Sequence, residues 1–185
     1  MKVKSKEKRE AIENICNNIL FEHSDSDHGS YVTSIFEILK KNEIEMKIVT
    51  KNFFIEKLNL DAGALALFRK NDDKNIILLN VEKYPKKENK IFTLAHELGH
   101  YFLHMEDKKN YLCYRHKKGI TPEEKKYEDE SDYFASCLLM PKNKIIKAIE
   151  KFPDVVSVDS LSKLFEVSPE AMKKRLEELE ITLGL

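Results

Sequence analysis

The sequence predicts an α+β fold. It is mostly helical, with a small three-stranded sheet beside a helix that carries HExxH, and a pair of short helices at the C-terminus. Three observations predict it. Apolar residues recur at helical spacing over residues 5–40, the period switches to two in a short middle tract, and helical spacing returns from about Ile91. A chain of 185 residues can bury one real core. Residues 1–150 are expected to form the main domain, with 151–185 a helix-turn-helix-like pair packed on it.

Each element has its own signal. Over residues 5–23 the apolar positions Ile12, Ile15, Cys16, Ile19 and Leu20 form one helical face. Val32, Ile35, Phe36 and Leu39 repeat the pattern over 30–40. "EMKIVTK" alternates, and "GALALFRKNDDKNIILLN" reads as two strands around an Asn71–Lys74 turn. "YPKKENK" is a polar loop, because Pro85 cannot donate to a strand ladder. Residues 106–126 lack periodicity, contain Gly119 and Pro122, and are expected to be an exposed loop or flap. "YEDESDYFASCLLMP" is helical up to Pro141, since the residue before a proline avoids the helical region. A short helix follows, ending near Pro153. The last segment, "SVDSLSKLFEVSPEAMKKRLEELEI", gives two amphipathic helices, the second starting with Ser168 as N-cap, Pro169 in the first position and Glu170 in an acidic first turn.

Hydrophobic residues make up 42% and charged residues 35%, the composition of a soluble globular protein. Lys and Arg number 32, as do Asp and Glu, which argues against a protein built mainly to coat phosphate backbones. No apolar run approaches membrane-spanning length, and the charged start has no apolar signal-peptide core. Cys16, Cys113 and Cys137 are scattered and odd in number, which favours free thiols. A cytoplasmic location is therefore expected.

His96-Glu97-Leu98-Gly99-His100 carries the chemistry. On a helix, positions i and i+4 share a face with Cβ atoms about 5–6 Å apart, so two imidazoles can converge on one Zn²⁺. Glu97, one step round, can flank the ion without binding it and take a proton from water that the metal has acidified. The apolar "IFTLA" before the motif makes the helix internal, and buried polar side chains need partners. His104 lies about 12 Å along the axis from His96, too far to share its ion. It is a cleft-lining group or a satisfied structural histidine. The extended form HExxHxxGxxH is excluded, because Phe102 and Met105 stand at its glycine and histidine positions. In the next helix "Glu128-Asp129-Glu130-Ser131-Asp132" offers a third ligand, Glu128 with Glu130 as its rival. The His₂Glu set leaves a fourth position for water. Asp132, one turn on, can accept a hydrogen bond from the far nitrogen of His96 or His100 and fix its tautomer.

"IFTLAHELGHYFLH" followed by "EDESDYFASCLLMP" resembles the ImmA/IrrE family of metallopeptidases, typified by F-T-L-A-H-E-L-G-H and then E-x-x-A-N/D-x-F-A-x-x-L-L-M-P. The resemblance runs from "NIILLN" to Pro141. It implies that His96, His100 and Glu128 are zinc ligands and Glu97 the catalytic base. Ser131 stands where the family usually has alanine, which is similar to the thermolysin-type E-x-x-S-D. The resemblance also implies a protease that cuts a helix-turn-helix repressor in phage, mobile-element or stress regulation.

Tyr101, His104, Tyr114, His116 and Tyr133 could donate to an oxyanion, although Tyr101 and Tyr133 also suit core or cleft-wall roles. Cys113 and His116 have CxxH spacing without a second half. A strand edge could hold an extended substrate. Lys173, Lys174 and Arg175 could contact DNA, but Glu177, Glu178 and Glu180 on the same helix would repel phosphate, so direct DNA binding is not expected. The reading is a site-specific zinc endopeptidase with a protein substrate. The alternative is a catalytically weak, zinc-stabilised module that sequesters a regulator or antitoxin-like partner.

Overall fold

Capping chemistry, helical periodicity and one tight helix–helix approach account for the arrangement seen in the computed structural model. The structure describes all residues except 1, 2, 4, 24–29, 54, 55, 57–63, 70–74, 105–109, 113–120, 154, 184 and 185. The chain order is α1 (Lys6–Glu22), α2 (Ile35–Lys41), β1 (Ile44–Val49), β2 (Ala64–Arg69), β3 (Asn75–Asn80), α3 (Lys87–His104), β4 (Asn110–Leu112), α4 (Pro122–Leu139), α5 (Lys142–Lys151), α6 (Val158–Leu164) and α7 (Pro169–Glu178). The α+β class holds. None of the described helices is long and apolar enough to cross a membrane.

Among the described residues the sheet has four strands rather than three, in the order β1-β3-β2-β4. β2 and β3 pair antiparallel, as two strands flanking a turn predict, and β1 runs parallel to β3. The added strand, β4, pairs antiparallel with β2 through Asn110–Leu112, inside the segment expected to be a loop. Three residues are too few to show a period. The Asn71–Lys74 turn lies outside the described residues.

The expected flap also ends earlier than its composition suggests. α4 starts at Pro122, because Thr121 caps it: its side chain accepts from the Glu124 amide at 3.2 Å, and Glu124 accepts from the Thr121 amide at 2.7 Å. This reciprocal box, with proline in the first turn, is a strong helix start. α3 likewise begins at Lys87, before its first apolar residue.

α3 and α4 run antiparallel: His96 faces Asp132, and His100, further along α3, faces Glu128, further back on α4. Their approach is close. A Cβ on Gly99 would lie 2.9 Å from the Ser131 Cα, so a glycine and a small partner are what let the two helices meet here. α1 covers α4 through the stripe Ile12, Cys16 and Ile19. Leu161, Phe165, Met172 and Leu176 from α6 and α7 join the same hydrophobic cluster as Ile12, Leu98 and Leu138. α7 is anchored by Arg175, which is 1% exposed and donates from Nε to the Met140 carbonyl at 3.1 Å. Arg175 is thus committed to the interior, whereas Lys173 and Lys174 are exposed.

Candidate metal centre

Helical spacing puts His96 and His100 on the face of α3 that packs on α4, where both rings are buried. Their Nε2 atoms are 3.0 Å apart. Glu128, from the first half of α4, closes a triangle, with Oε1 3.2 Å from His100 Nε2 and Oε2 3.5 Å from His96 Nε2. Ligand atoms held at 2.0–2.1 Å by one tetrahedral ion sit about 3.3 Å apart. The His–His edge and the two Glu128 contacts, which use different carboxylate oxygens, lie near that value, and one ligand atom from each residue falls within 4.8 Å of the other two, so these side chains could hold a metal ion.

The electrostatics agree. Burial opposes charge on His96, but hydrogen bonds to Asp132 and Glu128 and the nearby charge of Glu97 outweigh it and push the imidazole up to about 10. Burial likewise opposes charge on Glu128, yet hydrogen bonds from His100 and His96 hold its carboxyl well below the usual range. Three carboxylates therefore face two imidazoles, an excess of negative charge that a cation relieves. Asp132 Oδ1 is 2.8 Å from His96 Nδ1, and this bond holds a proton on Nδ1, so that Nε2 is the nitrogen that can turn a lone pair to an ion once its own proton leaves. Glu97 is 5% exposed, and its Oε2 has no hydrogen-bond partner among the described residues. A buried carboxylate oxygen left unpaired costs free energy, which an ion and its water would recover.

The family model described as Peptidase_M78, the IrrE N-terminal-like domain, matches residues 51–177. The chain belongs to this family. No curated protein gives a significant match. The matched region takes in both helices of the triangle and reaches into α7, so this Peptidase_M78 chain carries a candidate metal site of the kind a metallopeptidase requires.

The remaining candidates separate by placement. Glu130, the rival ligand, turns away from the histidine pair: its Oε2 lies 3.2 Å from Lys8 Nζ of α1. His104 is buried outside the triangle, with its ring 4.4 Å from that of Tyr127 and 5.8 Å from that of His100. Burial, then the charges of His100 and Lys8, push its imidazole down to about 3, so it is neutral at pH 7. The Tyr133 hydroxyl donates to Glu13 of α1 at 2.9 Å, on a different side of α4 from the triangle. Tyr101 is partly buried beside Phe102, and burial raises its phenol. Cys113, Tyr114 and His116 lie outside the described residues, and Cys16 and Cys137 are free, buried thiols. Sequence reasoning missed Lys8, the partner that occupies Glu130, because α1 and α4 are far apart in the chain. It also missed the role of Gly99, although a glycine inside a helical pattern signals a close approach.

Proposed function

We propose that this family member is a zinc-dependent, site-specific endopeptidase of the cytoplasm that cleaves a helix-turn-helix repressor. The observation that supports hydrolysis most is Glu97: a buried carboxylate, unpartnered at Oε2 among the described residues, beside three convergent ligand atoms. His96, His100 and Glu128 would hold the ion, with Asp132 fixing the His96 ring. Zn²⁺, when bound there, supplies a Lewis acid that polarises the scissile carbonyl and acidifies water. Glu97 accepts the proton of the attacking water and returns it to the leaving amine. The dry surroundings strengthen its interaction with developing charge. The repressor as substrate follows from the resemblance of the two sequence blocks, and the balanced net charge fits a protein-directed enzyme better than a DNA-binding one.

The test is Glu97→Gln, which keeps shape and removes the base. Incubation with a candidate repressor, read by mass spectrometry, should give discrete fragments with the wild type and a loss of at least about 100-fold in rate with the variant, at unchanged zinc content. An intact, stable complex with both proteins would instead favour sequestration.

A further inference from the structure

Beside the metal centre, the first two turns of α3 and the start of α7 enclose a groove of about 270 Å³ lined by Glu88, Phe92, Val167, Glu170, Ala171 and Lys174. Phe92, in its lining, precedes His96 by one turn on the same face of α3, which places the groove next to the metal ligands along that helix. α7 is fixed in this position by the Arg175–Met140 bond at 3.1 Å and by Ser136, which donates to Glu178 at 3.4 Å.

Resting on the peptidase reading above, we propose that this groove is a specificity subsite that takes one large apolar side chain of the substrate, with α7 as its wall. Three observations argue for that occupant. Phe92, Val167 and Ala171 form its apolar part, two of them only partly covered, with the uncharged Asn89 and Ser168 beside them. The volume falls just under the range of about 300–1,000 Å³ typical of sites for whole small ligands, so it suits a single side chain rather than a separate molecule. The rim is electrically balanced: Glu88 and Glu170 are offset by Lys174 and by the positive ends of α3 and α7, each equivalent to about half a charge. A charged side chain would find no net field to replace its lost hydration, whereas an apolar one gains by burial. The C-terminal pair is then part of the substrate cleft, and its helix-turn-helix outline serves that role.

The test uses Ala171→Phe, which fills the groove from the exposed side of α7, and a degenerate peptide mixture as probe. With zinc-loaded wild type, cleavage products read by mass spectrometry should show Leu, Phe or Met enriched at one fixed position from the cut. Ala171→Phe should lower kcat/KM for those peptides by about tenfold or more and shift the preference to small residues, at unchanged zinc content and melting temperature. A cleavage pattern unaltered by Ala171→Phe overturns the subsite and leaves the peptidase standing. In parallel, the Glu97→Gln protein is immobilised and the peptides it retains are identified. Selective retention of peptides with large apolar residues, lost on adding Ala171→Phe, supports the groove even if no peptide is cut, in which case hydrolysis is what fails. Neither cleavage nor selective retention overturns the groove. Should Ala171→Phe fold poorly, Ala171→Leu is substituted, with the same outcomes on a smaller scale.

Discussion

α4 carries two buried polar clusters, and they differ in kind. On one side, Arg175, Glu13, Tyr133, Ser136 and Glu178 bind one another and the Met140 carbonyl, and the guanidinium stands 5.6 Å above the Tyr133 ring. One guanidinium serves two carboxylates, each of these side chains has a named partner within the set, and the set ties α1, α4 and α7 together. On the other side, His96, His100, Glu128, Glu97 and Asp132 crowd three acids around two imidazoles and leave Glu97 Oε2 without a hydrogen-bond partner among the described residues. A cluster that only holds a fold satisfies itself. One that awaits a ligand carries a mismatch of charge and hydrogen bonding that the ligand removes.

The comparison predicts that damage to the two clusters should show in different measurements. The largest effect belongs to the Arg175 cluster. Arg175→Ala leaves Glu178, 4% exposed, without its cation and opens a cavity, and it should cost about 3–5 kcal/mol in urea unfolding while zinc affinity of the folded protein is unchanged. A comparable loss of zinc affinity would break the separation of the clusters. Next comes Asp132→Asn, which weakens the bond at 2.8 Å to His96 Nδ1 and should reduce zinc affinity about 10–100-fold with little change in unfolding of the metal-free protein.

The smallest effect, taken one pH unit at a time, is a dependence on pH. In the metal-free protein His96 titrates near 10, so its proton is retained at neutral pH and must leave before the ring can bind an ion. Zinc affinity should therefore rise about tenfold per pH unit from neutral upward, and flatten near the imidazole's raised value. The metal-free fold has the opposite sign. The stabilisation that His96 gains as a cation is complete below the ordinary imidazole range and is lost as pH rises through about 10. Calorimetric titrations in buffers of different pH would read both. An affinity independent of pH would mean that the ring is already neutral.

Legibility from sequence followed the range of the interaction. His96, His100, Glu128 and Asp132 were readable because each pair lies one turn apart on its own helix, and the two helices need only face each other. The pairing of β2 and β3 was readable from two apolar runs on either side of a short polar segment. The start of α4 was also written locally, in Thr121-Pro122-Glu123-Glu124, but the polar composition around it masked the capping signal. β4 was hidden because a three-residue strand derives its identity from its neighbour β2. The pairing of Glu130 with Lys8 and of Tyr133 with Glu13 depends on where α1 docks, and no local pattern encodes that. The same holds for the groove between α3 and α7. Arg175 shows the hazard most clearly: its neighbours Lys173 and Lys174 make it look like one of a basic surface trio, and only packing reveals it as an interior anchor.

The central claim is that two histidines from α3 and one glutamate from α4 hold a single ion. Calorimetric titration of zinc into metal-stripped wild type and Glu128→Gln, at matched pH, tests it most directly. One ion per chain is expected for the wild type, with binding weaker by more than about 100-fold for the variant, beyond what loss of a supporting hydrogen bond costs. Equal affinity in the two proteins, or no binding by the wild type, would contradict it.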